Sequence, residues 1–292
     1  MFKGSIVAIV TPFKNNKIDE KTLSELIEFQ IKNGTSGIVP CGTTGESATL
    51  SFEEHDRVIE IAIKQANKRV PVIAGTGSNS TDEAIMLTKH AAKSGADASL
   101  QVSPYYNRPT QKGLYEHFKA VADSVAIPII LYNIASRTGV NIEPETMAKL
   151  ANDCKNIVAV KEASGNLDQM SRVKFLCPKE FELISGDDSL TLPVLSIGGT
   201  GIISVVANII PKDVADLVKA FEKGDIKKAQ ELHYKMLPLI KNMFIETNPI
   251  PVKTAMGLLG LCEPDLRLPM CSMLPENLEK LKKALKDYGL LK

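Results

Sequence analysis

Ile157-Val158-Ala159-Val160-Lys161-Glu162-Ala163-Ser164-Gly165-Asn166 is the stretch on which the fold and the chemistry of this chain turn. Its first four residues are apolar and mostly β-branched, and it closes on turn formers. A short run bounded in this way reads as a buried strand. A lysine at the exit of such a strand has its stem among apolar groups and its amine near a cleft. The amine can snorkel to the surface. Alternatively it stays withdrawn, where burial disfavours an ammonium and a neutral amine can attack a carbonyl to form a Schiff base. The segment alone leaves both readings open.

Working outward, similar runs recur along the chain. Strands are predicted at 5–10, 37–40, 71–75, 98–102, 128–132, 157–161, 181–185 and 201–205. Between them lie amphipathic stretches at 20–33, 53–67, 81–94, 111–124, 143–153, 167–176, 188–196 and 211–223. In the first of these, Leu23, Leu26, Ile27 and Ile31 share one face. Strand-then-helix units of roughly 25 to 35 residues, eight in all, predict an α/β fold of the (β/α)8 TIM-barrel type. A doubly wound open sheet would often place G-x-G-x-x-G after its first strand. Here Thr11-Pro12-Phe13 follows instead. Beyond Gly224-Asp225 the strand pattern stops, and 225–246, 250–260 and 276–287 read as helices. The division predicted is a catalytic barrel over 1–224 and a small C-terminal all-helical region over 225–292.

Composition narrows the function. The 292 residues carry a net charge of +1, and 44% of them are apolar, enough for a sizeable core. There is no basic excess and no tryptophan, and aromatic residues make up 5%, so nucleic acid is not an expected partner. The five cysteines are odd in number and none are spaced C-x-x-C, which points to free thiols in a reducing compartment. No apolar stretch approaches the ~20 residues of a membrane span, and the N-terminus runs directly into a strand without a signal-peptide pattern. A cytoplasmic setting is expected.

In a barrel of this kind the active site forms at the C-terminal ends of the strands. After the second strand comes Gly42-Thr43-Thr44-Gly45-Glu46-Ser47, either a tight turn or a nest of N–H and O–H groups able to hold a small carboxylate. Strand three leads to Gly75-Thr76-Gly77-Ser78-Asn79, and strand four to Ser103-Pro104-Tyr105-Tyr106-Asn107-Arg108-Pro109. Strand five ends at Tyr132-Asn133, with Ser136-Arg137-Thr138-Gly139 in its loop. A tyrosine there can relay protons or pack as a plain aromatic. Arg137 can take a carboxylate through two parallel hydrogen bonds. Asp187-Asp188 reads as an acid/base or metal pair, or as the cap of the helix it begins. The four histidines are scattered, none in H-x-x-x-H, and neither a G-x-S-x-G elbow nor a Walker loop occurs.

Taken together, Gly42-Thr43-Thr44-Gly45-Glu46, Pro104-Tyr105-Tyr106-Asn107-Arg108-Pro109, Tyr132-Asn133 and Val160-Lys161-Glu162 closely resemble the dihydrodipicolinate synthase family of pyruvate-dependent class I aldolases. The resemblance continues through Asn248-Pro249-Ile250-Pro251-Val252-Lys253 to Leu266-Arg267-Leu268-Pro269. It implies a (β/α)8 barrel with C-terminal helices, a homo-oligomer that is usually a tetramer, and no metal or organic cofactor. It implies condensation of pyruvate with L-aspartate-4-semialdehyde, the entry step to diaminopimelate and lysine. Lys161 would carry the imine. Tyr132, Thr43 and Tyr106 match the family's proton relay, with Tyr106 reaching in from a neighbouring subunit. Thr44 would help bind the pyruvate carboxylate, and Arg137 that of the semialdehyde. Gly186 and Ile203 match pocket-lining positions.

Related lyases that cleave N-acetylneuraminate or keto-deoxy sugar acids share the lysine and tyrosine. The intact Arg137-Thr138-Gly139 favours a small acidic aldehyde over their polyhydroxylated ones. A barrel that binds a ketoacid without turnover would need neither lysine nor tyrosine. One departure stands out: Ala135 occupies a position where the family commonly has proline, which predicts a looser Arg137 loop. In lysine-inhibited members a pocket at the dimer interface binds lysine. Its matching positions here are Ser47, Ala48, His55, Asn79, Glu83 and Tyr105, with Phe52 replacing a polar residue.

Overall fold

The computed structural model describes residues 2–292. Eight parallel strands form its centre: β1 (Gly4–Ala8), β2 (Gly37–Val39), β3 (Ile73–Gly75), β4 (Ala98–Val102), β5 (Ile129–Asn133), β6 (Ile157–Glu162), β7 (Glu182–Ser185) and β8 (Gly201–Ser204). They hydrogen-bond in the order β2-β1-β8-β7-β6-β5-β4-β3. The ring closes through a parallel bridge between Ile38 and Val72. There Ile38 N–H donates to the Pro71 carbonyl (3.0 Å), and Gly75 N–H to that of Pro40 (3.0 Å).

The helices between strands are α1 (Glu20–Lys32), α2 (Phe52–Ala66), α3 (Thr81–Ser94), α4 (Gln111–Asp123), α5 (Pro144–Asp153), α6 (Leu167–Leu176), α7 (Thr191–Ser196) and α8 (Pro211–Glu222). Their starts follow local chemistry. Ser51 and Glu54 form a reciprocal capping box on α2. Ser80 caps α3, and Pro144 opens α5. The stretch read as one helix over 188–196 is divided into a 3-10 turn, Asp188–Leu190, and α7. The buried Asp188 carboxylate is drawn inward, accepting from Ser204 Oγ (2.5 Å) and from the N–H groups of Val205 (3.0 Å) and Val206 (3.2 Å). Asp187 caps that turn by accepting from Ser189 N–H at 2.9 Å. A small antiparallel hairpin, Phe13–Lys14 with Lys17–Ile18, lies outside the barrel sheet. Its turn residues Asn15 and Asn16 are both left-handed (φ 52° and 59°), as a two-residue hairpin turn requires.

Strand side chains alternate between the barrel interior and the helical layer. Ile6, Val39, Leu100, Ile130, Ala159, Ile184 and Ile203 fill the interior. Leu131, Val160 and Leu183 face the helices. Lys161 and Tyr132 therefore emerge on the inner face, at the exits of β6 and β5. After Gly224 come α9 (Ile226–Asn242), α10 (Ile250–Leu258) and α11 (Pro275–Tyr288). Leu232, Met236, Val252 and Leu281 share one continuous apolar core with Val7, Ile202 and Leu217 of the barrel.

Candidate active site

The register of β5 against β6 sets Tyr132 opposite Lys161. The lysine Nζ lies 4.1 Å from the centroid of the tyrosine ring, and both residues are 6% exposed. Gly186, at the exit of β7, closes over the pair. A Cβ there would stand 3.1 Å from Lys161 Cε and 2.7 Å from Ala163 Cβ, so glycine keeps the lysine stem free. Ile203 is fully buried in the same inner layer.

A polar network behind this pair was passed over in the sequence. Glu162, fully buried on the outer face of β6, accepts from Asn133 Nδ2 (3.0 Å), Ser164 N–H (2.8 Å) and Gln169 Nε2 (3.0 Å). Asn133 Nδ2 also donates to Asn141 Oδ1 (2.8 Å). These bonds join β5, β6 and α6 one residue from Tyr132 and Lys161. The sequence does not mark the network, because Asn133 and Glu162 meet only across the β5–β6 pairing and both sit on the strand face opposite the catalytic one.

The Gly42–Glu46 loop is a compact turn. Gly45 N–H donates to the Gly42 carbonyl (3.0 Å), and Glu46 N–H to that of Thr43 (3.1 Å). Thr11 Oγ1 donates to the Gly45 carbonyl at 2.7 Å. Among the described residues, the N–H groups of Thr43 and Thr44 donate to no protein acceptor. That leaves the loop able to receive a carboxylate. Thr44 Oγ1 accepts from Asn248 Nδ2 (3.0 Å), and Arg137 Nη2 donates to the Asn248 carbonyl (3.1 Å). Asn248 thus ties the threonine loop to the Arg137 loop, a role its motif did not disclose.

Two cavities flank this junction and share Ile134, Arg137 and Asn248. The first, about 530 Å³, is lined by Thr43, Ser47, Ala48, Phe52, His55, Glu83 and Tyr105 among others. The second, about 670 Å³, includes Ala163, Gly186 and Asp187. Lys161, Tyr132 and Ile203 line neither; Gly186 connects the second cavity to the lysine. Asn79 stands outside both and holds the Tyr105 loop, donating through Nδ2 to the Tyr105 carbonyl (3.2 Å). His55 is buried, its Nε2 2.9 Å from the Gly75 carbonyl, and burial pushes its pKa down, so the ring is neutral with Nε2 as donor. Tyr106 is 91% exposed with φ 72° and belongs to neither cavity.

Comparison with known proteins gives a single answer. The model of the Dihydrodipicolinate synthetase family matches residues 1–288. The 4-hydroxy-tetrahydrodipicolinate synthases of Endomicrobium trichonymphae and Syntrophus aciditrophicus (strain SB) are 63% identical over 292 residues and 64% over 291, each aligned over the full length of both chains. The crystal structure of dihydrodipicolinate synthase from Aquifex aeolicus superposes with a TM-score of 0.98 at 55% identity, covering 99% of both chains. With a closed barrel, a lysine at the exit of β6 and full-length likeness on this scale, the chain belongs to the dihydrodipicolinate synthetase family.

Proposed function

We propose that this chain condenses pyruvate with L-aspartate-4-semialdehyde through an imine on Lys161, as a 4-hydroxy-tetrahydrodipicolinate synthase. The observation that carries the reading is the buried lysine amine held 4.1 Å over the Tyr132 ring at the barrel mouth. The Lys161 amine attacks the keto carbon of pyruvate, and loss of one water gives the protonated imine. That imine is an electron sink. A proton leaves the methyl group, and the resulting enamine carbon forms a bond to the aldehyde carbon. The amine of the semialdehyde then adds to the imine carbon, closing the ring and releasing Lys161. One water is lost overall, and the sequence requires no metal or organic cofactor.

Tyr132, Thr43 and Tyr106 are assigned the proton relay. The exposure of Tyr106 supports a second subunit that covers it and brings it to the neighbouring site, in a homo-oligomer of dimers or tetramers. Thr43 and Thr44 take the pyruvate carboxylate and Arg137 that of the semialdehyde. Gly186 and Ile203 shape the walls. The sugar-acid lyases are not favoured, since the full-length relatives bear the synthase name. Among the described residues no helix is long and apolar enough to cross a membrane, and the five cysteines are unpaired, in keeping with a cytoplasmic enzyme. Borohydride added with pyruvate should fix one pyruvate-sized adduct, mapped by mass to Lys161 and absent from Lys161→Ala. A folded protein with no adduct removes the mechanism.

Ser47, Ala48, His55, Glu83 and Tyr105 line the same cavity as Thr43 and Arg137. This supports lysine as a feedback ligand there, with Glu83 facing its amine and Asn79 steadying Tyr105. Activity titrated with lysine should fall; no loss up to about millimolar levels, where weak sites saturate, disposes of the assignment.

A further inference from the structure

Lys253 lies in α10, outside the barrel, and is 0% exposed. Its Nζ donates to Glu46 Oε1 (2.6 Å) and to the Asp265 carbonyl (2.6 Å) and sits 4.0 Å from the centroid of the Phe13 ring. The other oxygen of Glu46 accepts from Arg267 N–H at 3.1 Å. Both carboxylate oxygens are therefore held by the C-terminal region. We infer that Lys253 is a positioning residue for the first substrate, locking the Thr43–Thr44 loop from across the seam between the barrel and the C-terminal helices.

The mechanical connection is short. Glu46 N–H donates to the Thr43 carbonyl, so fixing Glu46 fixes the turn that presents the Thr43 and Thr44 amides. Glu46 has φ 54°, a left-handed conformation that a side-chain-bearing residue holds only when its surroundings impose it. A buried ion pair is weak grounds for stability, because an apolar pair of similar shape often serves as well. Its geometric return here is a rigid carboxylate-binding loop. Burial pushes the Lys253 amine down from its usual pKa, while the Glu46 charge beside it opposes that shift. The inference rests on the reading of Thr43 and Thr44 as the pyruvate-carboxylate site.

The test compares wild type with Lys253→Met and with the doubly neutral Glu46→Gln/Lys253→Met. Lys253→Met alone strands a buried carboxylate and is expected to be unstable. The double variant removes both charges and is expected to melt near wild type. Borohydride trapping is followed against pyruvate concentration, together with the KM of each substrate. In the double variant, half-trapping should need about tenfold more pyruvate. The semialdehyde KM should move less, because Arg137 is linked to the threonine loop through Asn248 and is not hydrogen-bonded to the pair itself. A folded double variant that traps pyruvate at the wild-type concentration overturns the inference. So does failure of both variants to fold, which would make the pair a requirement of folding alone. A wild type that traps no pyruvate removes the proposed reaction first, and the inference with it.

Discussion

Lys161 and Lys253 are both withdrawn from solvent, at 6% and 0% exposure, yet the mouth of the barrel and the seam behind it treat them in opposite ways. In the seam, Lys253 meets a carboxylate, a carbonyl and an aromatic ring, so its charge is compensated. At the mouth, Lys161 has the Tyr132 ring beneath it and no hydrogen-bond acceptor among the described residues. Burial with partners makes a lysine a strut; burial without them leaves its amine available to a ligand. The same substitution should therefore have opposite consequences. Lys161→Met should reduce turnover by more than about 10⁴-fold while leaving stability in urea unchanged or higher. Lys253→Met should cost about 3–5 kcal/mol of stability, because Glu46 is left buried and alone. Equal losses of stability in the two variants would break the contrast.

Asp188 extends the comparison to a buried anion. Among the described residues it has no cationic partner, and it accepts from one hydroxyl and two backbone N–H groups. Burial pushes its carboxyl up to about 6 from the ordinary 3.8, against the pull of those donors. Between pH ~4 and ~6 the native state keeps a proton that the unfolded chain has released. Its stabilising contribution is thus complete below the unfolded pKa and is lost as pH rises through about 6. Asp188→Asn cannot titrate, so the stability of wild type relative to this variant should fall by roughly 2 kcal/mol between pH 4 and 7. A difference that stays flat with pH would show that the three donors offset burial, and one that rises with pH that they outweigh it.

A smaller effect tests the space around Lys161 itself. Gly186→Ala would place a methyl 2.7 Å from Ala163 Cβ and 3.1 Å from Lys161 Cε. At 2.7 Å the backbone carrying Ala163 at the end of β6 must shift, and at 3.1 Å the lysine stem is pushed aside with it. We expect kcat/KM for pyruvate to fall about tenfold through misplacement of the amine, with a modest fall in melting temperature. A large loss of stability with normal pyruvate kinetics would instead make Gly186 a packing residue only.

These contrasts were unevenly visible in the sequence. The run Ile157–Val160 followed by a lysine announces a buried strand with a polar exit, because β-branched periodicity is a local signal. The threonine and tyrosine loops were legible for the same reason: each directly follows a strand, where a barrel places its chemistry. The counterion of Lys253 was not, since Glu46 lies 207 residues away. The Asn133–Glu162–Gln169 network was equally hidden, being assembled only when β5 and β6 take register. The division of 188–196 was missed because the helical pattern is real, and a tertiary contact from Asp188 to β8 overrides its start.

The smallest expected effect concerns Ala135, where a missing proline predicted a loose Arg137 loop. Ala135 is the first residue of a short helix, Ala135–Thr138, the position at which proline is tolerated because its N–H has no partner within the helix. The loop is tied by other means. Arg137 Nη2 donates to the Asn248 carbonyl. The buried Thr138 hydroxyl lies 3.1 Å from the Ile134 carbonyl and 2.9 Å from that of Val140, and Gly139 N–H donates to the Ala135 carbonyl (2.9 Å). Stiffening a segment already anchored at both ends acts chiefly on the unfolded chain, so Ala135→Pro should raise stability by about 0.4–1 kcal/mol. It should change the semialdehyde KM by less than about twofold. A larger fall in KM would mean that the mouth keeps a mobility the anchors do not remove, and that Arg137, like Lys161, is left free for its ligand.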